Sequence, residues 1–166
     1  MRLAKVVYSR MGRITVPEGV PVLDRVSDER WSVYVDSISV GGTQLCTERC
    51  ELSFELGCAR AYFPEPKRDM IAAEWQAPVV NGLIELQEHR VHDYAPLKVK
   101  VQSVEFEWPA DQHNVTFTEG DITKCGSTIL SHSRTYYALG TDYLRKIFLV
   151  FDVNAKKIHV GANNPG

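Results

Sequence analysis

The sequence has no excess of either charge. Its 166 residues carry 19 Lys and Arg against 21 Asp and Glu, a formal net charge of −2. The basic stripe of an electrostatic nucleic-acid binder is therefore missing, and no polybasic run or Arg-rich arm replaces it. Long apolar runs are missing too. The longest strongly apolar stretch, Ile147 to Phe151, falls far short of the about 20 residues that span a bilayer. Residues 1–20 mix Arg2, Lys5, Arg10 and Arg13 with short apolar pieces, so they lack the continuous apolar core of a signal peptide, and localisation is not readable from them. No internal repeat, low-complexity tract or dividing linker occurs. What remains is ordinary globular composition, 44% hydrophobic and 24% charged, which excludes a disordered or fibrous chain. The length is that of one domain, taken as 1–166.

Cysteine is sparse, at positions 46, 50, 58 and 125. The tight Cys46-Thr-Glu-Arg-Cys50 spacing is compatible with a small disulfide loop, with metal ligation or with chance. A zinc site drawing in His89 and His92 would need a His-x2-His pair, closer than the usual His-x3–5-His, so spacing ranks the disulfide above zinc. No metal or cofactor is expected. Asn114-Val115-Thr116 is an N-glycosylation sequon, a weak pointer to a secretory route, and Asp111, Gln112 and His113 place it on an expected exposed turn.

Helix signals are few. Turn residues recur about every ten positions, the rhythm of an all-β domain. Strands are expected at Leu3–Tyr8, Arg13–Val16, Leu97–Val101, Val104–Trp108, Val115–Thr118, Thr128–Leu130, Lys146–Asp152 and Lys157–Val160. Leu97-Lys-Val99-Lys-Val101 alternates cleanly, with its lysines in water. Lys146–Asp152 is apolar throughout its interior and reads as a central strand covered on both faces. Trp31–Val40 carries two apolar phases, one on 31, 33 and 35 and the other on Tyr34, Ile38 and Val40, before Gly41-Gly42 turns the chain. Helix is expected from Pro66 to Trp75, stopped at Gln76-Ala77-Pro78. A second short turn of helix fits at Arg134–Tyr137 or at Thr141–Leu144.

From Val20 onward the order of segments becomes specific. Val20-Pro21-Val22, then Trp31-Ser-Val-Tyr-Val-Asp36-Ser-Ile-Ser-Val-Gly-Gly42, then the Cys46/Cys50 loop resembles the carboxy-terminal lobe of pepsin-like aspartic proteases. Near the end, Ala138-Leu139-Gly140 resembles the family's hydrophobic-hydrophobic-Gly motif. Leu144-Arg145 and Val150-Phe151-Asp152 follow, and Ile158-His-Val-Gly161 resembles the closing strand. These segments cover residues 20–64 and 124–162 in the right order. The resemblance implies an all-β single lobe of a bilobal fold, with orthogonally packed sheets and one or two short helices. It implies a Cys46–Cys50 disulfide; because the usual partner of Cys125, between Asn81 and Leu97, is missing and Cys58 sits in the active-site turn, Cys58 and Cys125 are expected to be free thiols, or one of them to pair with another chain. It also implies a secretory compartment, extracellular or vesicular lumen.

Carried over residue by residue, the catalytic motif departs from the family. The family places its catalytic Asp five residues past the second Cys of the small loop, followed by Thr or Ser and then Gly. Here the triplet is Glu55-Leu56-Gly57, and no Asp-Thr/Ser-Gly occurs anywhere. Glu carries an extra methylene, which moves its carboxylate by about an ångström on an unchanged backbone, and a displacement of that order costs ~10²-fold in rate. Leu56 removes a hydroxyl, and Cys58-Ala59 remove two more. The chemistry needs two carboxylates sharing one proton, one from each lobe. The resemblance therefore implies a catalytically inactive lobe serving as a structural or protein-binding module, with another protein chain or a second copy against its open face. The alternative is one chain of a two-chain endopeptidase whose other lobe is supplied separately. An unrelated β-sandwich interaction domain comes a distant third. Without the flanking segments, Glu55 would read as an ordinary strand-end carboxylate. The dispersed histidines read as surface or packing residues, and a triad of Asp36, Ser131 and His132 has no Gly-x-Ser-x-Gly context to support it.

Overall fold

The computed structural model describes residues 6–9, 16 and 18–162, the first four by their backbone alone. The strand expected at Arg13–Val16 lies outside them save for Val16. Of Leu3–Tyr8, the described part falls in β1 (Val6–Ser9).

Among the described residues, seventeen strands form four sheets. The first runs β1, β16 (Ile147–Asp152), β17 (Lys157–Ala162) and β2 (Val22–Asp24). As its apolar interior demands, β16 is an inner strand, parallel to β1 and antiparallel to β17. Ile147, Leu149, Val150 and Phe151 are all buried. The second sheet runs β11 (Val104–Trp108), β10 (Leu97–Val101), β4 (Ser37–Val40) and β5 (Thr43–Cys46). Leu97, Val99 and Val101 face the core while Lys98 and Lys100 do not, which is the alternation read from the sequence.

The two phases of Trp31–Val40 belong to two strands in different sheets. In β3 (Ser32–Val35) the apolar phase is on Val33 and Val35; in β4 it is on Ile38 and Val40. Asp36 is the corner between them. Its backbone N–H donates to the Lys100 carbonyl at 2.9 Å, and its Oδ2 accepts from the Gln102 backbone N–H at 2.7 Å. Gln102 sits at φ 51° in the β10–β11 turn, so the Asp36 carboxylate serves a turn and is not part of a triad.

The third sheet runs β12 (Asn114–Glu119), β13 (Ile122–Ser127), β9 (Leu83–Leu86) and β8 (Val79–Val80). β13 escapes sequence reading because Ile122 and Thr123 are exposed, Lys124 is half-buried, and together they offer no apolar alternation. The fourth sheet is the one that builds the site, in the order β14 (Ile129–His132), β7 (Ala61–Pro64), β15 (Tyr137–Leu139), β6 (Cys50–Phe54) and β3.

Among the described residues, two α-helices accompany the sheets. α1 (Glu65–Glu74) starts one residue before the expected Pro66 and buries Ile71 and Ala72 against the core. Trp75 ends it, its indole N–H donating to the Ala95 carbonyl at 2.8 Å. Glu74 reaches from its last turn to the β4–β5 turn, accepting from the Gly42 N–H at 3.0 Å and the Thr43 hydroxyl at 2.7 Å. Those bonds, the Thr43 hydroxyl first, hold its carboxyl below the usual carboxylate range. α2 (Thr141–Leu144) takes the later of the two expected positions, and the residues at 134–137 instead lead into β15. Trp75 and Trp108 are core anchors, and Trp31 packs on Phe151 beneath the Arg25 guanidinium.

Candidate active site

The site is a turn held by a threaded strand. β6 ends at Phe54, the chain turns through Glu55-Leu56-Gly57-Cys58-Ala59-Arg60, and β7 begins at Ala61. β6 and β7 do not pair with each other. Between them lies β15, parallel to β6 (Tyr137↔Leu52, Leu139↔Phe54) and antiparallel to β7 (Leu139↔Ala61). The residues at the end of β15 then tie down the turn. The Glu55 N–H donates to the Leu139 carbonyl at 2.9 Å and the Gly140 N–H to Arg60 O at 2.9 Å. The Thr141 N–H donates to Cys58 O at 2.8 Å and the Asp142 N–H to Ala59 O at 3.1 Å.

Gly140 is a glycine for lack of space. Its φ is −87°, which any residue adopts. A Cβ there would lie 2.4 Å from Arg60 O, 2.5 Å from Cys58 O and 2.7 Å from the Ala59 carbonyl carbon, all backbone atoms of the turn. Ala138 and Leu139 are buried on either side of that contact. Thus the structure brings both sequence segments, Glu55-Leu56-Gly57 and Ala138-Leu139-Gly140, to one place.

Within the turn, the Glu55 side chain is half-buried and accepts a 2.8 Å hydrogen bond at Oε1 from the Ser53 hydroxyl. Ser53 is wholly buried. The strand's alternation puts residues two apart on one face, and that spacing is the signal that would have found Ser53 in the sequence. Leu56, Gly57, Cys58 and Ala59 are exposed. A cavity of 280 Å³ opens beside Glu55, walled by Cys58, Tyr62, His132, Tyr136 and Ala138. In it His132 Nε2 lies 2.7 Å from the Tyr136 carbonyl. A carbonyl only accepts, so Nε2 is the donor in this bond. The Arg30 guanidinium lies 4.0 Å over the Tyr136 ring and pairs with Glu51 at 2.8 Å, fixing the cavity's aromatic wall. Tyr62, His132 and Tyr136 escape sequence reading because they come from three separate strand ends.

Cys46 and Cys50 form a disulfide, with Cα atoms 5.8 Å apart, just before the strand that leads to Glu55. Both sulfurs a zinc site would need are thereby spent. His92 faces Asp111 at 3.1 Å, and among the described residues no three His, Cys, Asp or Glu converge for a metal. Cys58 is free and exposed; Cys125 is free and buried. Burial first, and then the Glu88 carboxylate, raise the Cys125 thiol pKa.

Asn114 is not on an open turn. It is half-buried, and its Nδ2 donates to Ala110 O at 3.0 Å and to Asp111 O at 2.8 Å. Both amide hydrogens are therefore used inside the protein. Glycan attachment at that nitrogen would remove one of them and push sugar into the wall. The expected outcome in a glycosylating host is a folded, secreted chain of unmodified mass at the Asn114 peptide, checked by mass spectrometry before and after deglycosylation; a sugar-bearing Asn114 peptide from soluble, folded protein would contradict it.

An all-β lobe in which one strand threads between two sequence-adjacent strands and presses a glycine against the connecting turn is the half-unit of a pepsin-like fold. Residues 15–163 match the family described as eukaryotic aspartyl protease. The match covers nearly the whole chain, and the protein belongs to that family. No curated protein matches the chain significantly. Among the described residues, no helix is long and apolar enough to cross a membrane.

Proposed function

We propose that this protein is a catalytically inactive pepsin-like lobe that works as a structural or protein-binding module. One observation carries the reading: the turn after β6, where the family holds its catalytic Asp, carries Glu55-Leu56-Gly57. Proton sharing between two carboxylates demands placement within a fraction of an ångström, and a glutamate on the same backbone overshoots it. Leu56 supplies no hydroxyl to bond across to an opposing turn, and the residue is 37% exposed. An exposed leucine at the tip of the turn suits contact with a second protein or a second copy better than water activation. The Cys46–Cys50 disulfide supports an oxidising compartment, the lumen of the secretory route or beyond.

A second reading is favoured by the Ser53 hydroxyl on Glu55. That bond orients a carboxylate at the turn, as one chain of a two-chain endopeptidase would need. The test is cleavage of a peptide library at acid pH by the purified chain, alone and with whatever chain co-purifies. The expected result is no cleavage that a transition-state aspartic-protease inhibitor blocks. Inhibitor-sensitive cleavage that disappears in Glu55→Gln would establish the second reading and end the first.

A further inference from the structure

A second cavity, of 410 Å³, has Arg60, His113, Thr128, Asp142, Arg145 and Lys146 among its lining residues. We propose that it is a binding site for a phosphate-class oxyanion, as the free ion or as the phosphoryl group of a small phosphomonoester. Charge comes first. Arg60, Arg145 and Lys146 line the cavity with one lining carboxylate, Asp142, and the Asp111 and Glu107 side chains act on Lys146 from beyond the lining. The lining is cationic on balance in a chain whose net charge is −2. A phosphate carries about −1.5 to −2 at neutral pH, the sign such a lining attracts.

Geometry agrees. Asp142 sits 3.5 Å from Arg60 Nη1 and 3.6 Å from Arg145 Nη2. Both separations exceed the about 2.7–2.9 Å of a charge-assisted hydrogen bond, so one carboxylate is divided between two guanidinium groups instead of being clasped by either. Guanidinium forks are the side chains best shaped for the paired oxygens of a tetrahedral oxyanion. Lys146 donates one Nζ hydrogen to the Glu107 carbonyl at 2.5 Å, which tethers the ammonium at the rim and leaves it two more donors.

The floor is formed by buried side chains. The Thr128 hydroxyl is buried; it donates to the His113 carbonyl at 3.0 Å and therefore accepts from the Tyr143 hydroxyl at 2.6 Å. The His113 ring stacks on the Tyr143 ring at 4.5 Å, and the Tyr143 carbonyl accepts from the Trp108 indole at 2.8 Å. Against such a floor the attraction between cation and anion is less screened than at an open surface. The site also shares Arg60 and Asp142 with the backbone bonds that hold the Glu55 turn, so an occupied cavity braces that turn from its far end.

His113 is the built-in reporter. Burial, and then the cations of Lys146 and Arg145, lower its pKa to about 4, against the opposing pull of Asp142 and Asp111. An oxyanion that neutralises Lys146 and Arg145 must raise that pKa. The experiment titrates the whole chain with inorganic phosphate and, separately, with O-phosphoserine, at ionic strength held constant with chloride. The His113 ring is followed by NMR. The expected result is saturable binding at millimolar phosphate or below, an upward move of the His113 midpoint, and at least a tenfold loss of affinity in Arg60→Gln and in Lys146→Gln. Binding of phosphate alone identifies the free ion as ligand; binding of both identifies the ester class. No saturable response, a response that chloride reproduces, or affinity unchanged in a folded Lys146→Gln would overturn the proposal. Lys146 lies at the rim and outside the turn's backbone bonds, so that variant keeps the test decisive even where Arg60→Gln fails to fold.

Discussion

Gly140→Ala destabilises the chain by about 3 kcal/mol or more, because the added methyl overlaps three backbone atoms that have no soft direction in which to yield. A contact at 2.4–2.7 Å against Arg60 O, Cys58 O and the Ala59 carbonyl carbon forces the turn outward. That displacement breaks the Gly140–Arg60, Thr141–Cys58 and Asp142–Ala59 backbone bonds together. For a domain of this size the loss lowers the melting temperature by roughly 6–12 °C. Gly57→Ala is the matched control: nothing lies within 4 Å of its added Cβ and its φ is not left-handed, so its effect stays within about 0.5 kcal/mol. Thermal melts of the two variants beside the parent check both. Equal melting temperatures for parent and Gly140→Ala would show that the turn is looser than its contacts imply.

The second large effect is an acid weakness at His113. Its pKa in the folded chain is about 4 against 6.5 unperturbed, first through burial and then through Lys146 and Arg145. The sign follows from proton counts. Between those two values the unfolded chain binds a proton that the folded chain refuses, so stability falls as pH drops. The contribution is whole above about pH 6.5, declines as pH falls towards 4, and changes no further below. The full shift corresponds to about 3 kcal/mol; discounted for a ring that is only half-buried, on the order of 2 kcal/mol is expected. Urea melts in chloride buffer at pH 7 and pH 4 measure it. His113→Phe keeps the stack on Tyr143 and removes the titration, so the variant should lose on the order of 2 kcal/mol less than the parent over that interval. An equal loss in both would place the acid-sensitive group elsewhere.

The parts of this architecture that follow from local pattern were legible in advance. β10 shows its lysines at every second position, β16 is apolar throughout its interior, and α1 announces itself by Pro66 and its run of good helix formers. The site's two ends were legible as motifs, one before Gly57 and one at Gly140. Their meeting was legible only through resemblance, because no periodicity tells that a strand at 137–139 inserts between strands ending at 54 and beginning at 61. The corner at Asp36 was visible as a change of apolar phase, and only pairing with two different sheets explains it. Asn114 misled for a simpler reason. Polar neighbours mark a surface segment, but an Asx side chain that folds back on carbonyls three and four residues upstream leaves the surface. The phosphate-class cavity was illegible because its cations come from residues 60, 145 and 146, on segments joined only by the threading of β15.

That threading also governs the order of events during synthesis. β6 and β7 are complete once Pro64 has left the ribosome, yet the slot between them stays unfilled until Tyr137–Leu139 emerges. Through all the intervening elongation β6 can pair only with β3 and β7 has neither of its neighbours, because β14 is also late in the chain, and unpaired strands are free to pair with the wrong partner. Loop closure over so long a separation is slow. The β4–β5 hairpin, the Cys46–Cys50 loop and the α1 helix, all short-range, can form in the nascent chain while the slot waits. A host poor in folding helpers should therefore yield aggregate whose protease-resistant core contains β6 and β7.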